Sequence, residues 1–143
     1  IRGVKKGSSV VTLVSNANQK TYATINIKVK NNYTKKQLRL MSAIIYSEAG
    51  AECFAGKKAV GIVIMNRVRS KDFPGTLKKV IYQPGQFCPA GSGWLDRVRS
   101  TDGYTESAMQ AAEAALAGEN PIGDCLYFDQ GGYGYQIGAH YFH

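Results

Sequence analysis

The chain is poor in the residues that build metal centres and disulfide frameworks. Of its 143 residues three are cysteine, two histidine and one tryptophan. Cys53, Cys88 and Cys125 contain no C-x-x-C pair, and His140 and His143 add no zinc-ligand spacing, so no metal and no other cofactor is expected. There is no G-x-S-x-G elbow, P-loop or dinucleotide fingerprint. A Cys–His pair of Cys88 or Cys125 with His140 is the one nucleophilic arrangement left open. No apolar run approaches membrane-spanning length, and no signal peptide is present. The chain starts at Ile1 without an initiator methionine and reads as a segment of something longer.

Acidic residues are missing from one end. Residues 1–36 carry eight Lys or Arg and no Asp or Glu, whereas the remainder carries ten of each sign. The formal net charge of +8 therefore belongs to the first quarter of the chain. Those lysines are scattered through alternating, strand-like sequence without interleaved aromatics, which argues against a nucleic-acid partner. An anionic polymer of the cell wall, or a merely soluble surface, accounts for the charge as well.

What is present divides in two. Residues 1–30 alternate apolar and polar over roughly Ser9–Ser15 and Thr21–Val29, around a Ser/Asn-rich turn. Two strands alone are not a stable unit. Residues 31–36 read as a linker. From Thr34, a plausible N-cap, a helix is expected to about Ala49, with Gly50 closing it at positive φ. A second helix is expected over Ala55 to Ser70, apolar on every side, with a buried strand as the competing reading. Pro74 can open a short helix through Val80, followed by a Pro/Gly-rich loop. An alanine-rich helix should begin near Thr105 or Ser107 and stop at Gly118. The tail, Cys125–Asp129 and Gln136–Phe142, reads as a β-hairpin. Length and composition fit one core and a monomer.

Glu48 stands in line with Leu38, Met41 and Ile45 on the buried stripe of the first helix. A carboxyl group at the end of an apolar stripe is poorly solvated, which raises its pKa and suits it to act as a general acid near neutral pH. Glycosidic cleavage needs such an acid, and in hydrolysis a second carboxylate, for which Glu52 and Asp129 are the candidates. The loop "YQPGQFCPAGSGW" offers aromatic faces in Tyr82, Phe87 and Trp94 and amides in Gln83 and Gln86, the materials of a sugar cleft. The tail adds Tyr127, Tyr133, Tyr135 and His140. Asn66 could orient Glu48, and Arg67 belongs to a polar stripe on the same helix. A bridge between Cys88 and Cys125 would staple loop to tail, closing about 37 residues for roughly 3–4 kcal/mol, with Cys53 left free.

The strings "YSEAGAE", "GKKAVGIVIMNRVRS", "FPGTLKKVIYQPGQF", "AAEAALAGENP", "CLYF" and "IGAHYF", in this order from about Leu38 to Phe142, resemble the SleB/CwlJ family of cell wall hydrolases, the spore-cortex-lytic enzymes and their relatives. Residues 1–30 resemble the last two strands of a bacterial immunoglobulin-like domain. The resemblance implies an α+β chain with a mostly α-helical, lysozyme- or lytic-transglycosylase-like catalytic domain over 37–143, with a small β-hairpin, behind a two-stranded β fragment. It implies peptidoglycan glycan strands as partner and an exported protein, extracellular or in the wall. The family's catalytic acid, the first Glu of E-A-R-G-E, falls on Glu48 and the second on Glu52. Here the motif is "EAGAE", with Gly50 in place of the usual Arg and Ala51 in place of Gly. Glu52, Tyr82, Gln86, Phe87, Tyr127 and His140 are then expected to face substrate. The leading expectation is a lytic transglycosylase. A hydrolytic muramidase, an amidase cleaving the stem peptide, and a non-catalytic wall-binding module are its rivals.

Overall fold

The structure is a computed structural model and describes residues 7–143. Strands β1 (Gly7–Val14) and β2 (Thr21–Val29) pair antiparallel, with Val11 opposite Ile25 and Leu13 opposite Ala23. The alternation in the sequence thus becomes a hairpin, but one with uncovered faces: Val10 is 63% exposed and its neighbour on the other face, Leu13, 56%. Residues 1–6 of the expected β fragment lie outside the described residues.

Helix α1 (Lys35–Ala49) starts where its capping chemistry places it. The Thr34 hydroxyl accepts from Gln37 N–H, while the Gln37 side chain accepts from Thr34 N–H. Met41, Ile44 and Ile45 are fully buried, and Leu38 is packed against the same core. Helix α2 (Phe54–Arg69) is the central one, with Val60, Ile62, Val63 and Ile64 all shielded from solvent. Its β-branched residues do not make it a strand, because α1 and the later helix over Glu106–Leu116 cover it and burial overrides a small propensity difference. The closest approach is at Gly61, where a Cβ would lie 2.9 Å from both Ala115 Cβ and Ile45 Cδ1.

Beyond α2 the expectations are met less evenly. Helix α3 (Leu77–Ile81) begins three residues after Pro74, because the Thr76 hydroxyl accepts from Lys79 N–H and sets the start. The Pro/Gly-rich segment is not a plain loop: it holds a one-turn helix α4 (Cys88–Gly91) and leads into helix α5 (Trp94–Thr101). Leu95 and Val98 of α5 are buried, and Arg39 of α1 bonds Asp102 Oδ1 at 2.7 Å just past its end. Helix α6 (Glu106–Leu116) is capped by Thr105, whose hydroxyl accepts from Ala108 N–H, and Gly118 follows at φ +91.

The tail is a three-stranded sheet rather than one hairpin. Strands β3 (Phe128–Asp129), β4 (Tyr135–Ile137) and β5 (His140–Phe142) lie in the order β3-β5-β4. Central β5 contributes the fully buried Phe142, which welds the sheet to the helical core.

Candidate active site

Glu48 lies in the last turn of α1, partly buried, at the end of the apolar stripe. Its Oε1 is buried and has no hydrogen-bond partner. Burial pushes the carboxyl pKa up from the ordinary glutamate value, and no other influence contributes. An orphaned buried oxygen is costly in a folded protein, so such a group marks a place where something outside the chain completes the bonding.

Gly50, one residue past α1, has φ −56 and remains right-handed, contrary to the expected positive φ. What glycine supplies here is room, since a Cβ would stand 2.6 Å from Tyr46 O. Glu52 N–H then donates to Ala49 O, which folds the chain back toward α2. Glu52 does not share a proton donor with Glu48. Its Oε2 accepts from Ala139 N–H at 3.0 Å, in the turn between β4 and β5, and its carbonyl accepts from Lys57 Nζ at 2.7 Å.

His140 follows that turn directly. It is 8% exposed, its Nδ1 is buried without a partner, and its ring meets Phe128 edge-on at 5.3 Å between centroids. Phe128 in turn neighbours Phe87 at 6.4 Å. Phe87 was expected to offer a face to substrate; at 5% exposed it is a core residue instead, backing the wall from inside. Gln83 Oε1 is the third buried polar atom without a partner.

Arg67 gathers a second group of side chains. Its Nε donates to Leu126 O at 2.6 Å and its Nη1 to Gln86 Oε1 at 2.9 Å. Its guanidinium lies 4.9, 5.4 and 5.2 Å from the ring centroids of Phe73, Phe87 and Tyr127. Gln86 and Tyr127 are thus brought together at one cation, with Gln86 exposed and Tyr127 open to solvent along one side. Asn66 does not reach Glu48: its amide donates to Gly123 O and Cys125 O and holds the segment before the tail sheet.

Three sequence expectations find other surroundings. Tyr82 donates its hydroxyl to Asp96 Oδ1 at 2.5 Å, tying α3 to α5, and burial followed by that bond pushes its pKa up to about 12. Asp129 is exposed; the Gly131 N–H and then His143 hold its carboxyl below the usual carboxylate range. Cys88 and Cys125 do not form the expected bridge. All three cysteines are free thiols, and Cys125 Sγ, buried, donates to Ile122 O at 3.0 Å.

A concavity of about 510 Å³ on the tail sheet is lined by Cys125, Tyr133, Gly134, Tyr135, Phe142 and His143. Glu48 is not among them, so this hollow and the unsatisfied carboxyl are separate features. Among the described residues no three His, Cys, Asp or Glu side chains gather as a metal site would require. No helix among them is long and apolar enough to cross a membrane.

Residues 51–142 match a family model described as cell wall hydrolase. The chain belongs to that family. This cell wall hydrolase is 32% identical over 115 residues to the spore cortex-lytic enzyme of Oceanobacillus iheyensis, covering 79% of the chain and 39% of the relative. With the spore cortex-lytic enzyme of Bacillus cereus it shares 32% over 123 residues, 86% of the chain and 44% of the relative. It therefore spans about two fifths of the length of these relatives. Its fold is similar to the catalytic domain of the germination-specific lytic transglycosylase SleB from Bacillus anthracis. That match has a TM-score of 0.67 and 30% identity, covering 80% of this chain and 98% of the other. The catalytic domain of the Bacillus cereus SleB protein matches with the same score and identity. The expected mostly helical α+β architecture is therefore the architecture of the family. The matched family segment begins at Ala51, so it takes in Glu52 and His140 and leaves Glu48 three residues upstream.

Proposed function

We propose that this domain cleaves the glycan strand of peptidoglycan between N-acetylmuramic acid and N-acetylglucosamine, as a lytic transglycosylase with Glu48 as general acid and then base. The observation that carries the reading is the buried, unpartnered Glu48 oxygen on a carboxyl whose pKa is raised. Burial disfavours the charged form, so this carboxyl holds its proton to a higher pH than an ordinary glutamate and has it to give. Protonation of that oxygen releases the leaving sugar as the muramyl residue gains oxocarbenium character. The carboxylate left behind takes the proton from the C6 hydroxyl of the same residue, whose oxygen closes a 1,6-anhydro ring. The proton given stays on the leaving sugar's oxygen, the one from the C6 hydroxyl replaces it on Glu48, and no water is consumed.

This economy suits a site in which Glu52 already accepts a backbone N–H and Asp129 is bonded to Gly131 and His143. The printed description of the structurally similar Bacillus anthracis domain as a lytic transglycosylase supports the same class. Gln86, Tyr127 and His140 serve as the surfaces that receive sugar rings and their hydroxyls, with Phe87 as the packing behind them, Glu52 at the turn beside His140, and Tyr82 bracing α3. Such a substrate makes the protein an exported one, working in or at the wall. The basic hairpin of β1 and β2, whose uncovered faces lack a second layer, reads as the end of an immunoglobulin-like domain.

The test is a digest of purified peptidoglycan analysed by mass spectrometry. Anhydromuramyl ends are expected. Reducing muramyl ends would mean a hydrolytic muramidase, free stem peptides an amidase, and unchanged wall a binding module.

A further inference from the structure

Glu52 is a conspicuous candidate for a second catalytic carboxylate, being four residues from Glu48. Its surroundings argue otherwise. Glu52 Oε2 accepts from Ala139 N–H at 3.0 Å, and it fills the space a side chain at position 138 would need. Gly138 has φ +62, and a Cβ built there would overlap Glu52 Oε2 itself. A second glycine faces the same side chain from α2: a Cβ at Gly56 would come within 3.2 Å of Glu52 Cβ and 3.4 Å of Oε2. Lys57 Nζ fastens the Glu52 carbonyl at 2.7 Å. The carboxylate is therefore seated between two glycines and bonded to a turn 87 residues away in sequence. Immediately after that turn comes His140, nine-tenths buried, with an Nδ1 that nothing in the chain satisfies.

We infer that Glu52 is a positioning residue: its carboxylate latches the Gly138–Ala139 turn to the end of the catalytic helix and so sets where His140 stands relative to Glu48. The inference rests on the reading of Glu48 as the acid and deepens it. A latch needs only an acceptor oxygen, whereas a base or nucleophile needs a titratable carboxylate, and that difference is testable.

Glu52→Gln keeps an acceptor oxygen and should retain activity on peptidoglycan within a few-fold of wild type. Glu52→Ala removes it and should lower kcat on the order of ten- to a hundredfold, as misplacement of a site group by about 1 Å does. Gly138→Ala, which introduces no titratable group, should reproduce the defect by displacing the carboxylate. The double variant should be no worse than either single one, because both break the same contact. A spectroscopic arm is independent of turnover. In wild type the Ala139 amide proton should be protected from solvent exchange; Glu52→Gln should keep most of that protection and Glu52→Ala should lose it. If Glu52→Gln is as inactive as Glu48→Gln, or Ala139 exchanges as fast in wild type as in Glu52→Ala, the latch is wrong. If wild type cleaves no glycan, the proposed activity fails and the exchange of the Ala139 amide alone decides the latch.

Discussion

Arg67, only 5% exposed, donates from Nη1 to Gln86 Oε1 at 2.9 Å, and its guanidinium lies among three aromatic rings. A buried cation is tolerated when its donors are used and its faces are covered, and here Leu126 O, Gln86 and the rings do both. The arrangement joins α2, the loop before α4 and the segment that leads into β3 through Tyr127 at one side chain. Lysine cannot span two acceptors in a fixed fork. Arg67→Lys should therefore cost about 1–3 kcal/mol in urea unfolding, since hydrogen bonds to charged groups are worth roughly that much. A loss below about 0.5 kcal/mol would show that the cation is not the joint described here.

The Glu48 carboxyl carries a sign that can be worked out. Its folded pKa is raised above the unfolded value, so the group favours folding at acidic pH, where it is protonated in both states. That contribution is lost as pH rises from the unfolded value through the folded one, and above both the charged form is a liability. Glu48→Gln removes the titration. The melting temperature of Glu48→Gln relative to wild type should thus rise between acidic and neutral pH. A difference that stays flat or falls would contradict a raised pKa at this position. The alkaline limb of kcat/KM in wild type should likewise lie above the ordinary glutamate range.

At Gly61 the three core helices leave no space, with Ala115 Cβ and Ile45 Cδ1 each 2.9 Å from where a Cβ would sit. Gly61→Val should overpack the junction of α1, α2 and α6 and destabilise the fold by about 1–3 kcal/mol or more. Because α1 carries the proposed acid, Glu48, in its last turn, activity should fall alongside stability. Thermal unfolding of the variant checks this, and an unchanged midpoint would mean that the helices part easily.

Legibility in the sequence followed the range of the forces involved. Helices α1 and α6 could be read from Thr34 and Thr105, because a cap bonds within four residues of itself. Helix α5 could not, since its start at Gly93 and its end at Asp102 both sit in the left-handed region and its buried residues are only Leu95 and Val98. The tail strands, two or three residues each, are too short to alternate, and their order is set by contact with the core. Glu48 showed as an acid at the end of an apolar stripe. That its oxygen lacks a partner, that Glu52 is bonded to Ala139, and that Arg67 gathers Gln86 and Tyr127 all depend on residues far apart in the chain. The expected Cys88–Cys125 bridge is absent: Cys88 is exposed, whereas Cys125 is buried with its Sγ donating to Ile122 O.

The hairpin of β1 and β2 supplies no group to the site as described. Deleting residues 1–32 should leave turnover of short soluble glycans nearly unchanged. Binding to intact wall should weaken, and the loss should shrink as salt rises, because exposed charges are screened beyond about 8 Å at physiological ionic strength. A large fall in turnover on soluble fragments would place these strands inside the catalytic fold.

Turnover of Glu48→Gln on purified peptidoglycan, measured beside its melting temperature, tests the account at its centre. The substitution preserves size and removes the transferable proton. No detectable anhydromuramyl product is expected from a protein that melts within a few degrees of wild type. Retention of more than about a tenth of wild-type activity, against the hundredfold or greater loss expected when a general acid is removed, would contradict Glu48 as the acid.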